Sequence, residues 1–383
     1  MQLSSLLHLG LIGLLVASLP LAMVWMSSDA NKFRKLVWIA VFLTFDLIVF
    51  GGFTRLTDSG LGCPDWPGCY GMANPFLAHE QIAAAEAAMP TGPVTVAKAW
   101  IEMIHRYFAM GIGVIIMALM FKAIFQWRRS HAQAFAPAIP VALFVFVCIQ
   151  GAFGAWTVTL KLQPVIVTIH LLLGMLLLAM LTWLGGREDF LIKPPVAVGS
   201  VGALRRLRPL ALAAAAVLVV QIALGGWVST NYATLACDDF PLCGGRLVPE
   251  MDFEHGFTLW RELGKTAAGH YLPFSALVAI HWVHRMFALV VVAVMGLAVW
   301  RAWGLPGLGK TARYLAATLA VQLFTGVATV YFDFPLAIAV LHNAGAALLV
   351  LLVTMLNYKV KYQLDVARRT SAPSPATLAD AHR

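Results

Sequence analysis

Charge is scarce in this chain. Only 12% of its 383 residues are Asp, Glu, Lys or Arg, against 60% apolar residues, and the mean hydropathy is +0.80. That balance excludes an ordinary soluble domain, in which about a quarter of the residues are charged. Acidic residues are scarcer still, 18 against 27 basic ones, for a formal net charge of +9. The basic excess does not point to nucleic acid, because it forms no cluster on a polar domain. Cysteine is limited to five residues, and no Cys or carboxylate joins the histidines in numbers that complete a tetrahedral zinc set in each half of the chain. A basic leader is missing too. "MQLSSLLHLG" carries no Lys or Arg and no clear small-residue cleavage site follows it, so the first apolar run is expected to be a retained helix rather than a signal sequence.

What the chain does have is apolar runs of about 20 residues, the length that crosses a bilayer. They fall near residues 5–26, 36–54, 98–121, 137–158, 165–185, 209–229, 273–300, 314–332 and 336–356. Nine such runs predict an all-α polytopic membrane protein. The basic residues sit in alternate connections: Lys32, Arg34 and Lys35, then Lys122, Arg128 and Arg129, then Arg205, Arg206 and Arg208, then Lys310 and Arg313, then Lys359 and Lys361. By the positive-inside rule these connections face the cytoplasm. The connections carrying Cys63, Cys69, Cys237 and Cys243 then face outward, where an oxidising exterior permits disulfides. Cys148 lies alone in an apolar run and is expected to be a small buried hydrophobe.

The sequence repeats. "GGFTRLTDSGLGCPDWPGCYG" from Gly51 aligns without gaps on "GGWVSTNYATLACDDFPLCGG" from Gly225, an offset of 174 residues that superposes both glycines, both cysteines, Asp65 on Asp239 and Pro67 on Pro241. Downstream, "HRYFA" at His105 matches "HRMFA" at His284, and Gln150, Gly154, Thr157 and His170 match Gln322, Gly326, Thr329 and His342 at an offset of 172. Four spans per half is an even number, so the halves share one orientation. The expected architecture is two parallel-repeat four-helix bundles plus one extra N-terminal transmembrane helix. The segments run 1–30 for that helix, 31–190 and 209–358 for the bundles, 191–208 for a cytoplasmic linker, and 359–383 for a disordered cytoplasmic tail.

The repeat pairs His105 with His284 and His170 with His342, all in the outer parts of their helices. His105 follows Lys98 by seven residues, roughly 10 Å of helix. Two histidines at one level on two helices suit axial ligation of a planar iron porphyrin inside a bundle. A lone membrane histidine can equally be an interhelical hydrogen-bonder. Where the repeat fails, it is also informative: Glu102, one turn before His105, is replaced by His281 in the second half. An intramembrane carboxylate can accept a proton or position a reacting group; the alternative is a salt bridge to Arg106 or Arg55. Arg55, Arg106 and Arg285 near the outer interface suit heme propionates or simple snorkelling. Asp46, mid-span with no acidic counterpart, reads first as an interhelical hydrogen-bonder. The cysteine pairs read as loop-stiffening disulfides ahead of redox-active thiols.

These motifs, "EMIHR", "HWVHR", the two outward C-x5-C loops and a histidine in the last helix of each half, resemble the heme A synthase family of bacteria over residues 36–358. The resemblance implies oxidation of the methyl group at pyrrole position 8 of heme O to a formyl group by successive hydroxylations, in the bacterial inner membrane with the cysteine loops periplasmic. It implies Glu102 as the catalytic carboxylate, His105 and His170 at the substrate heme, and His284 and His342 as ligands of a heme b cofactor. Disulfides Cys63–Cys69 and Cys237–Cys243 would stiffen lids over the two pockets. Heme O synthase, oxidase assembly factors and a second copy of the chain are the expected partners. A bis-histidine cytochrome b carrying electrons, and a transporter using the histidines as a proton relay, are the alternatives.

Overall fold

The computed structural model describes residues 3–130, 137–192 and 200–371, with side chains from residue 5 to residue 368. Among these residues the chain is helical, and nine helices are long and apolar enough to cross a membrane. In chain order they are α1 (Leu3–Met26), α2 (Lys32–Leu56), α4 (Val96–Ser130), α5 (Ala138–Thr159), α6 (Pro164–Ile192), α7 (Val201–Thr230), α9 (Phe274–Ala302), α10 (Gly309–Tyr331) and α11 (Leu336–Ser371), with short surface helices α3 (His79–Ala88) and α8 (Phe253–Gly256) between them. In a medium without water each backbone amide must be bonded internally, so helices are the only open-chain solution for these runs.

Local chemistry sets the ends. Asn31 caps α2 by accepting the Arg34 N–H at 2.9 Å, and Asp252 caps α8 through the His255 N–H at 3.0 Å, a bond that holds the Asp252 carboxyl below its ordinary value. At the ends opposite the basic connections the chain reverses through left-handed residues at matching positions: Asp58 and Tyr232 (φ 51° and 55°), and Lys161, Leu162 and Asp333, Phe334 (φ 50° to 63°). The closing hydrogen bonds match as well, Ser59 N–H to Thr54 with Ala233 N–H to Val228, and Leu162 N–H to Thr157 with Phe334 N–H to Thr329. These are the offsets of 174 and 172 read from the sequence.

Packing follows the same pairing. In the first set α2 packs on α4 and α6, and α5 on α4 and α6; in the second α7 packs on α9 and α11, and α10 on α9 and α11. The sets meet through α2, α6, α7 and α11. At the cysteine-loop end, equivalent residues touch each other: Arg55 Nη2 donates to the Ser229 carbonyl at 2.6 Å, and Tyr232 donates to Asp58 at 2.7 Å. The buried apolar core, including Leu119, Leu143, Leu181, Leu207, Ala298, Leu315 and Leu356, lies on the basic-end side of all four histidines.

α1 leans on α4, where Gly13 abuts Met110 and Gly111 abuts Val16, small residues that let two helix backbones approach. Its upper end reaches the first cysteine loop, Ser5 Oγ donating to the Gly71 carbonyl at 2.9 Å.

Several boundaries and environments differ from expectation. α4 runs on to Ser130, and α7 begins at Val201 with Arg205, Arg206 and Arg208 already helical, because bilayer thickness limits only the apolar part of a helix. α11 continues to Ser371, so the tail expected to be disordered from residue 359 begins as helix; residues 372–383 lie outside the described residues, as do residues 193–199 of the 191–208 linker. Cys148 is exposed on α5 rather than buried. Asp46 is exposed on α2 and forms no interhelical hydrogen bond among the described residues.

Candidate functional site

The four histidines occupy one kind of cradle. A Cβ placed on Gly51 would lie 2.9 Å from His105 Cε1, and one on Gly225 would lie 2.9 Å from His284 Cε1; Gly154 and Gly326 stand in the same relation to His170 and His342 at 3.3 and 3.1 Å. Each imidazole is therefore seated against a helix backbone that only glycine leaves open. His105 also lies beside the Phe50 ring, centroids 6.1 Å apart. Within each half the two imidazoles are in electrostatic reach of each other.

Their hydrogen bonds differ between halves. In the first, Gln150 donates to the His170 carbonyl at 3.1 Å, and the buried Nδ1 atoms of both His105 and His170 have no partner. In the second, the Gln221 amide lies 3.2 Å from His284 Nδ1, Thr325 Oγ1 lies 3.0 Å from His342 Nδ1, and Gln322 Nε2 lies 3.2 Å from His342 Nε2.

Glu102 and His281 do related work above these cradles. Glu102, 4% exposed, accepts the Cys63 N–H on Oε2 at 2.8 Å and the Arg106 guanidinium on Oε1 at 2.5 Å. Arg106 Nη1 in turn donates to the carbonyls of Asp65, Pro67 and Gly68. In the second half His281 Nδ1 lies 3.3 Å from the Cys237 nitrogen and its Nε2 lies 3.1 Å from Arg285 Nε, while Arg285 grips the carbonyls of Asp239, Leu242 and Cys237. A neutral imidazole has one lone pair and satisfies one of those donors; the carboxylate satisfies both. Each loop is closed by its own disulfide, Cys63–Cys69 and Cys237–Cys243, and is pinned internally by Asp65 or Asp239 accepting two backbone N–H groups.

The expected site residues thus separate into groups. The histidines gather pairwise, His105 with His170 and His284 with His342. Glu102 joins Arg106, as its salt-bridge alternative required. Arg106 and Arg285 are committed to loop carbonyls, and Arg55 pairs with Asp58 at 3.2 Å and lies over the Tyr232 ring at 4.1 Å. Reasoning from the sequence had not assigned roles to Gln221, Thr325 or the four cradle glycines. The glycines and Gln322 were visible as repeat matches; Gln221 and Thr325 were visible only as mismatches, with Leu47 and Phe153 at the equivalent places.

Fold and site together define a polytopic all-α membrane protein whose paired histidines sit under disulfide-closed loops. Residues 34–354 match the family described as cytochrome oxidase assembly protein, and the chain belongs to that family. It is 36% identical over 327 residues to a heme A synthase of Shewanella oneidensis, covering 85% of this chain and 96% of that protein. Heme A synthases of Rhizorhabdus wittichii and Novosphingobium aromaticivorans are each 30% identical to it, covering 84% and 85% of this chain and 92% and 94% of theirs.

Proposed function

We propose that the protein is a heme A synthase, oxidising the C8 methyl group of heme O to the formyl group of heme A. The observation that carries this reading is the histidine–glycine cradle built twice, with a buried carboxylate above only one copy. His105 and His170 hold the substrate heme, and His284 and His342 hold a resident heme b. The residues fit such groups: the glycines seat the imidazole rings against the backbone, the main apolar core lies toward the basic end of them, and buried polar atoms with no partner, among them Gln150 Oε1 and Gln221 Oε1, belong to the glutamines that bond His170 and His284. When bound, heme b supplies one-electron redox capacity beside the substrate.

The chain's own residues supply orientation and exclusion of water. Arg106 and Arg285 hold the disulfide loops down as lids. Glu102, anchored by Arg106 and the Cys63 N–H, presents a carboxylate one helical turn from His105, where it accepts a proton or fixes the reacting edge of the substrate. The cysteine loops face the periplasm and the basic end faces the cytoplasm of a bacterial inner membrane. Heme O synthase and oxidase assembly factors are the partners this activity calls for.

The test is product analysis. Cells expressing the protein with a heme O synthase are expected to yield heme A or its hydroxylated intermediate on chromatography of extracted hemes. Accumulation of heme O alone, with folded heme-containing protein present, would favour a cytochrome b electron carrier and overturn the synthase reading. The cradle has its own test. Gly225→Ala is expected to push the His284 ring aside and lower heme content per polypeptide, whereas Gly296→Ala on the same helix set, where an added methyl meets nothing within 4 Å, leaves it unchanged.

A further inference from the structure

The halves differ most at the far side of each imidazole. An imidazole that ligates a metal through Nε2 carries its proton on Nδ1, and the partner of that N–H fixes the tautomer, orients the ring and strengthens the donor. His342 has such a partner. Thr325 Oγ1 lies 3.0 Å from Nδ1 and passes its own proton to the Gln322 carbonyl at 3.1 Å. The same arrangement leaves the lone pair on Nε2, toward which Gln322 Nε2 points at 3.2 Å. His284 does not: the Gln221 amide nitrogen lies 3.2 Å from its Nδ1 and donates to the His284 carbonyl at 3.2 Å, so it faces that ring nitrogen with a donor and not an acceptor.

In the first half the equivalent positions are apolar. Leu47 stands for Gln221 and Phe153 for Thr325, and the buried Nδ1 atoms of His105 and His170 are without partners. Nothing there fixes the tautomer, and an N–H donated to no acceptor in an apolar interior is costly to form.

We propose that Thr325 is a positioning residue that makes the second half a permanent heme site, and that Phe153, which takes its place in the first half, makes that half a site from which heme is released. This rests on the heme reading above. It gives a physical reason for two pockets of one ancestry to behave as a fixed cofactor site and an exchanging substrate site: the enzyme must let its product go, and it does so by withholding from His170 the hydrogen bond that His342 receives.

The experiment uses the purified wild-type protein with its bound heme, and follows transfer of that heme to excess apomyoglobin by absorbance. Thr325→Val keeps side-chain volume and is expected to speed release about 10- to 100-fold, the usual scale for loss of an outer-sphere partner. Thr325→Ser restores the hydroxyl and is expected to restore the wild-type rate. Because loss of the Nδ1–H acceptor makes the imidazole a weaker donor, the heme midpoint potential is also expected to rise in Thr325→Val and return in Thr325→Ser. A fold defect would move neither back. The reverse substitution Phe153→Thr is expected to raise the heme retained per polypeptide through purification. Unchanged release and potential in Thr325→Val would overturn this inference alone; wild-type protein that binds no heme would overturn the heme reading and this inference with it.

Discussion

Arg106→Leu is expected to lower stability by about 3–5 kcal/mol, the scale for removing one partner of a buried ion pair. Both side chains are hidden, at 9% and 5% exposure, so the substitution strands the Glu102 carboxylate in a place water does not reach. It also frees the carbonyls of Asp65, Pro67 and Gly68, which share Arg106 Nη1. The matching Arg285→Leu loses three carbonyl contacts but strands only an imidazole, so its cost is expected to be smaller, about 1–3 kcal/mol. Thermal unfolding in detergent distinguishes the two. Adding Glu102→Gln to Arg106→Leu is expected to recover part of the loss, because a buried carboxamide is less costly than an unpaired carboxylate. If Arg106→Leu melts with the wild type, the loop clamp does not carry the energy assigned to it here.

That pair of arginines also shows where the sequence stops being readable. The spans were legible because the bilayer imposes a minimum apolar length, and the histidine pairs were legible because the repeat superposes them. Glu102 stood out as the repeat's failure, and its bond to Arg106 was one of the two partners its spacing allowed. The carbonyl grips of Arg106 and Arg285 were not legible, since a backbone acceptor has no side-chain identity to search for. The environments of Cys148 and Asp46 were missed for a different reason. In lipid the outside of a bundle is as apolar as the inside, so the contrast that marks a buried face in a soluble helix is missing. Gln221 and Thr325 lay in plain view, but a polar residue facing Leu47 or Phe153 in an alignment means little until the coordinates put it beside an imidazole.

The second large effect is expected from Glu102→His, the substitution the chain itself carries at the equivalent position, His281. It separates two tasks that Glu102 performs at once. As a clamp, Glu102 receives the Cys63 N–H and Arg106; an imidazole reproduces one of those bonds, as His281 does for Cys237 or Arg285. As a carboxylate, it offers a basic oxygen above the first cradle that an imidazole bonded to Cys63 or Arg106 does not. Glu102→His is therefore expected to fold, retain the heme held by His284 and His342, and lose heme A formation by about 10²- to 10⁴-fold, the range for a positioned acid or base. Glu102→Ala is expected to lose the same activity together with the anchoring of the Cys63 loop, visible as faster proteolysis between residues 57 and 78. Heme extraction read beside a proteolysis time course separates the outcomes. Heme A formation preserved in Glu102→His would reduce Glu102 to a clamp, and the chemistry of the first half would then rest on the two histidines and their glycine cradles alone.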